Sequence, residues 1–245
     1  MHESINGGSM NHKESYASAG PGLLIAGTDT DVGKTTVAVA IVRSLVAGGL
    51  RVGVYKPVAT GIISSDQVSD ASALLSASKR KEVLERVCPQ SFGAPLSPQR
   101  AAEAEGKQID ETLLRSGINV WRTSSDVVIV EGAGGLFSPL AKNTLVSDLA
   151  RDFGYAIVLV DRDRLGCVGR TLGMIIAARS VGLDVAAVIL SRVDESPDQS
   201  TSTNATDLAQ RLGSIPIAVL EYGKLREHPV LDWQEIARCN PSCMK

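Results

Sequence analysis

The sequence predicts a doubly wound α/β fold, a mostly parallel sheet with helices on both faces. Three observations carry that prediction. Strand-length runs rich in Val and Ile recur along the chain, they are apolar throughout instead of alternating, and stretches long enough for crossover helices separate them. A run that is apolar at every position reads as a strand buried on both faces, as in a parallel sheet whose crossover helices cover its two sides.

The strands follow in order as "GLLIAG" (22–27), "RVGVYKP" (51–57), "DVVIVEG" (126–132), "YAIVLVD" (155–161), "DVAAVIL" (184–190) and "IPIAVL" (215–220). Segments 35–47, 99–105, 110–121, 168–181 and 204–212 are expected to be the helices between them. The mixed charges of "SASKRKEVLER" (76–86) predict one more, a solvated helix. Insertions at 60–72 and 88–98, which contain Gly, Ser and Pro, break the rhythm. Loops that leave the C-terminal ends of parallel strands build the site in such folds, so substrate chemistry is expected there. Trp121 and Trp233 read as packing residues, and His228 as a surface residue.

The 245 residues, 44% apolar and 21% charged, fit one α/β domain over 21–245 behind a disordered polar tail, 1–20. That tail lacks the apolar core of a signal peptide. A net charge of −2 provides no basic field for nucleic acid or an anionic membrane. No apolar run reaches the roughly 18 residues of a membrane helix. The 4 cysteines form no C-x-x-C pair, so a reduced, cytoplasmic protein is expected, with Cys239 and Cys243 of "CNPSC" as free thiols.

Function enters at "GTDTDVGKTT" (27–36), between the first strand and the first helix. A phosphate loop needs backbone N–H groups aimed at one point, a lysine for the outer phosphates and a hydroxyl for Mg²⁺. Gly33 lets the backbone turn close to an anion, and the helix behind it presents its positive end. Asp31, Val32, Gly33, Lys34, Thr35 and Thr36 make up the cradle, with Lys34 on the β and γ phosphates and Thr35 on the metal. Gly27 and Gly33 enclose five residues, one more than the usual spacing. In "DVVIVEGAGG" a buried strand ends in Glu131, followed by the turn Gly132, Ala133, Gly134. A carboxylate at that strand end opens onto the same sheet edge and suits a hard cation. Lys56 leaves the second strand where it would meet negative charge developing on a transferred phosphoryl group.

Taken together, GTDTDVGKT, YKPVATG, SDASALL, SFGAPLSP and VEGAGGLFSPL, in this order and at these intervals, resemble the dethiobiotin synthetase family from about Leu23 to about Leu190. The resemblance implies ATP-dependent carboxylation and ureido-ring closure of 7,8-diaminononanoate, with CO₂ or bicarbonate as co-substrate and Mg²⁺ as cofactor. It implies Mg²⁺ on Thr35, Asp70 and Glu131, with Lys56 and Lys34 as catalytic residues. Thr30 and Thr60 would face the substrate. The substrate's tail carboxylate would be held across a homodimer interface at a helix start matching Gly166, Cys167, Val168 and Gly169. In that stretch the family's Asn and His are replaced by Gly169 and Arg170, and Arg170 adds a cation that the carboxylate could meet. The family's adenine-reading Asn falls at Ser191 or Arg192, neither of which presents an amide edge, so GTP or CTP stand beside ATP as candidates.

Two other readings of the phosphate loop remain open at this level. One is a nucleotide-switch ATPase of the partitioning or metal-chaperone type. The other is a related ligase with a different substrate.

Overall fold

The computed structural model describes residues 20–62, 69–196, 198–224 and 231–238. Tail residues 1–19, His228, Cys239 and Cys243 lie outside them. In chain order the elements are β1 (Gly22–Gly27), α1 (Lys34–Ala47), β2 (Val52–Tyr55), α2 (Asp70–Ser78), α3 (Leu84–Val87), α4 (Pro98–Ala104), α5 (Glu111–Ser116), α6 (Asn119–Ser124) and β3 (Val127–Gly135). They continue as β4 (Pro139–Ala141), β5 (Thr144–Leu145), α7 (Val146–Phe153), β6 (Ala156–Arg162), α8 (Cys167–Ser180), β7 (Val185–Ser191), α9 (Asn204–Leu212), β8 (Ile217–Leu220) and α10 (Trp233–Arg238).

Every apolar run expected to be a strand lies in one 6-stranded sheet, ordered β2-β3-β1-β6-β7-β8. All neighbours in it are parallel. Burial follows the sequence pattern: β1 and β7 are buried at every residue, whereas the edge strand β8 is mostly half-buried. Each buried Val, Leu or Ile contributes about 1.5–3 kcal/mol of transfer free energy. The chain moves from β1 to the β2 side, then crosses to β6, so strand order reverses at β1. A crevice opens at such a switch point beyond the C-terminal strand ends, where the loop after β1 lies.

The structure departs from the sequence expectation in four places. Residues 76–86 are not one helix: α2 ends at Ser78, Lys79 takes a left-handed conformation (φ 54°), and α3 resumes only at Leu84. The 110–121 segment is two helices, α5 and α6, parted at Gly117 and Ile118. β3 does not stop at Glu131 but runs on to Gly135, with a register shift against β1 between Ile25 and Gly27. The insertion at 60–72 ends early, because Asp70 already opens α2 behind the Ser69 cap, whose hydroxyl accepts from the Ser72 N–H. The short β4–β5 hairpin and α7 are additions.

Trp121 and Trp233 are buried, as expected of packing residues. Trp121 on α6 lies against β2, where a Cβ on Gly53 would stand 2.9 Å from its own Cβ. Its indole N–H donates to the Arg86 carbonyl on α3 at 3.0 Å. Trp121→Ala should therefore destabilise the protein by about 3–5 kcal/mol, through a cavity plus an orphaned carbonyl, as read by denaturant unfolding.

Candidate active site

Strand ends and helix starts meet beyond the C-terminal edge of β1, β2 and β3. Gly33 (φ 91°) ends the first loop in a conformation suited to glycine, and α1 begins at Lys34. A Cβ on Gly33 would lie 2.3 Å from Ser191 Oγ at the end of β7, so the loop rests directly on that strand end. The Lys34 side chain curls back over the loop, and its Nζ donates to the Asp29 carbonyl at 2.8 Å.

Across the crevice, Glu131 on β3 is 1% exposed. Its Oε1 accepts from Thr35 Oγ1 at 2.8 Å and from Lys56 Nζ at 2.7 Å. Lys56, also buried, donates at 2.5 Å to Asp70 Oδ2 at the start of α2. Residues from α1, β2, β3 and α2 thus converge on one charge cluster.

Burial by itself would drive the Lys56 ammonium pKa down, but Glu131 and Asp70 together raise it. Burial likewise pushes Asp70 up, and Lys56 with Thr35 more than reverses that, leaving its carboxyl below the usual range. Lys34 ends lowered, by burial first and then by the charge of Lys56, against the opposing pull of Glu131.

The second oxygen of Glu131, Oε2, is buried with no hydrogen-bond partner among the described residues. An orphaned carboxylate oxygen beside the Thr35 hydroxyl and near Asp70 is the donor set a small divalent cation takes. Thr35, Asp70 and Glu131 therefore fit such an ion.

These groups line a cleft of about 380 Å³ together with Thr30, Asp31, Gly33, Lys34, Thr36, Lys56, Thr60 and the Gly132–Gly134 backbone. Ala59 and Val193 also form the wall, two residues that carry no chemical signature in the sequence. Val32 is not on that wall: its side chain is buried in the core, leaving only its backbone for the cradle.

Gly166, Cys167, Val168 and Gly169 do not line the cleft of their own chain. Gly166 (φ 88°) caps α8, and the Cys167 N–H is already donated to the Arg164 carbonyl at 3.0 Å. Cys167 is a buried free thiol whose pKa burial pushes up to about 11.

Sequence reasoning missed Asp161, at the end of β6 and fully buried. It accepts from Thr28 Oγ1 at 2.7 Å, from Arg170 Nη2 at 3.1 Å and from Thr171 Oγ1 at 3.2 Å. The first loop and the start of α8 thereby share one anchor, and Arg170 is engaged within its own chain. The signal was present in "LVD", a buried run ending in a carboxylate as "VIVE" does. Neither candidate for base reading has a free polar edge. Ser191 is pressed against Gly33, and the Arg192 guanidinium is held by Asp163 at 2.9 Å and Glu221 at 2.5 Å.

Lys56→Met leaves the buried Glu131 without its cation and should cost about 3–5 kcal/mol, read as a lowered melting temperature. Asp70, about half exposed, contributes less. A depressed carboxyl pKa adds stability that is present above its unfolded value and lost as pH falls through the folded one. Asp70→Asn should therefore cost under about 1 kcal/mol near neutrality and flatten the acid limb of the stability profile below the ordinary Asp range. Thermal melts between pH 2 and 7 check both the size and the sign.

A model described as an AAA domain matches residues 21–229. ATP-dependent dethiobiotin synthetase BioD of Rhodopirellula baltica is 41% identical over 203 residues, 77% of this chain and 79% of that protein. Its counterpart in Anaeromyxobacter dehalogenans is 39% identical, over 82% of this chain and 90% of that protein. The one in Bacillus subtilis is 35% identical, over 80% and 84%. Among solved structures, the signal recognition particle receptor FtsY of Elizabethkingia anophelis overlays at a TM-score of 0.48 with 16% identity, over 92% of this chain and 67% of that one, too loosely to argue from. With that extent of identity to proteins of one name, the chain belongs to the ATP-dependent dethiobiotin synthetase family.

Proposed function

We propose that the chain carries out the family's reaction, the ATP-dependent carboxylation and ring closure of 7,8-diaminononanoate to dethiobiotin. The observation that carries the reading is the single cleft in which Lys34, Thr35, Lys56, Asp70 and Glu131 face Thr30 and Thr60. One amine of the substrate captures CO₂, losing a proton to form a carbamate. The carbamate oxygen takes the γ-phosphoryl group of ATP, releasing ADP and leaving a carbamic–phosphoric anhydride. The second amine attacks the carbonyl carbon, phosphate departs, and the ureido ring closes.

No covalent nucleophile is required of the protein. Its task is to place reactants and neutralise charge spread over the transferring phosphoryl oxygens. Lys34 and the α1 N-terminus would meet the outer phosphates. Lys56, fixed by two carboxylates, would set a positive charge on the far side of the same group. Thr35, Asp70 and Glu131 would hold Mg²⁺, which when bound offsets charge on the outer phosphates. Thr30 and Thr60 would position the diamine.

The placement of Gly166–Gly169 away from the cleft supports a homodimer, in which the partner's helix start would receive the substrate's tail carboxylate. No helix among the described residues is long and apolar enough to cross a membrane, and we place the enzyme in the cytoplasm.

The test is a mass assay with 7,8-diaminononanoate, bicarbonate, Mg²⁺ and each of ATP, GTP and CTP in turn. The expected product is heavier than the diamine by CO₂ less water, with nucleoside diphosphate formed alongside. Because neither Ser191 nor Arg192 offers a free amide edge to a base, the three nucleotides should support turnover within about tenfold of one another. Nucleotide hydrolysis without cyclic product would overturn the assignment, and turnover with ATP alone would overturn the base tolerance.

A further inference from the structure

The run that leaves β2 carries Thr60 to the cleft wall without a sheet strand beside it. Its backbone is held by residues 87–94, which lie alongside as a strap. The Lys56 N–H donates to the Val87 carbonyl at 2.8 Å, and the Ala59 N–H to that of Gln90 at 3.0 Å. The Phe92 N–H donates back to the Ala59 carbonyl at 3.0 Å, and the N–H groups of Gly61 and Ile62 reach Ala94 and Phe92 at 3.2 and 3.3 Å. Ala59 and Ser91 pair as an isolated parallel bridge. Where the strap sits therefore decides where Thr60 sits.

Gln90 anchors the strap. It is buried, and its amide pairs in both senses with the backbone of Asp110: Nε2 donates to the carbonyl at 3.1 Å, and Oε1 accepts the N–H at 2.8 Å. Asp110 is itself fixed, because its carboxylate caps α5 by accepting the Leu113 N–H at 2.8 Å. The other polar tie, from the Gly93 N–H to Glu105 Oε1 at 2.6 Å, lies in solvent. A paired amide uses donor and acceptor at once, so it adds direction to the position that the buried Val87 and Phe92 of the strap set by packing.

We propose that Gln90 is a positioning residue that holds the run Lys56–Ile62, and with it Thr60, in register with the cleft by clamping the strap to the start of α5. The proposal rests on the reading that Thr60 faces the diamine. Lys56 keeps its own side-chain ties to Glu131 and Asp70, so the phosphate side of the cleft does not depend on the clamp.

Two variants of the full chain test it: Q90M, which fills the space without polar atoms, and Q90E, which retains the acceptor and loses the donor. Steady-state kinetics give the diamine KM and kcat, calorimetry gives ATP affinity, and hydrogen exchange follows the amides of Ala59, Gly61, Ile62 and Phe92. Q90M should raise the diamine KM about tenfold through misplaced contacts, with ATP affinity unchanged and exchange faster at those amides only. Q90E, in which a carboxylate oxygen would face the Asp110 carbonyl in place of the donor, should raise the KM at least as far as Q90M. An unmoved KM, an unmoved exchange pattern, or a loss of ATP affinity matching the loss of diamine affinity would each overturn the clamp. If Q90M has no cooperative melt, Q90E decides by the same comparison. If the wild-type chain does not turn over the diamine, the functional reading fails separately. Exchange then decides alone, with faster exchange at the four amides upholding the clamp and unchanged exchange overturning it.

Discussion

The buried pair of Glu131 and Lys56 is the interaction on which the site is built. A carboxylate 1% exposed must be matched by charge and hydrogen bonds, or folding bears its desolvation cost. Here the match comes from three other elements at once: Lys56 at the end of β2, Thr35 in the first turn of α1, and Asp70 at the first turn of α2 through Lys56. β2 and β3 cannot shift apart without leaving a buried charge unbalanced, and a shift of α1 would take a hydrogen bond from Glu131. The arrangement in turn leaves one Glu131 oxygen, Oε2, buried and without a hydrogen-bond partner among the described residues. The cost of burying the cluster is thus linked to its capacity for an added cation.

Rigidity around the loop between β1 and α1 contrasts with the construction around Thr60. The first loop is fixed from below by Ser191 against Gly33, and from the side by Thr28 on Asp161. Thr60, by comparison, stands on a run paired with a strap that is neither helix nor sheet strand. Long-range order there depends on individual side chains, and buried amide pairs fix such segments more sharply than apolar packing does. Division of labour between a rigid scaffold and substrate-bearing loops is a general property of α/β crevices.

The sheet was legible because burial on both faces leaves an unambiguous apolar signature, and β1 matches its predicted bounds of 22–27. That Lys34 and Glu131 would meet in one cleft was legible because a strand-to-helix loop and a strand-end carboxylate both open at the C-terminal edge of a parallel sheet. What escaped has physical reasons. β4 and β5 are too short for any periodicity to register. The break at Lys79 needs a left-handed residue that sequence gives no reason to expect in a lysine. Extension of β3 past Glu131 runs through a register shift against β1, where Gly132 and Gly135 lie too close to Val146 and Thr28 for a side chain, contacts that only the tertiary partners reveal. Asp161 and Arg170, nine positions apart, could be joined only once the turn into α8 was known.

The contact between Gly33 and Ser191 also constrains how this site can change. A larger residue at position 191 would have to enter space already taken by the phosphate loop, since even a methyl group on the glycine side would stand 2.3 Å from the serine oxygen. A base-reading side chain cannot be grafted there without displacing the glycine-flanked loop between β1 and α1. Val193, which borders the cleft one step beyond the salt-bridged Arg192, stands over the same glycine, 3.2 Å from where a Cβ on Gly33 would lie, so a change of either residue has to be matched by a change in the loop.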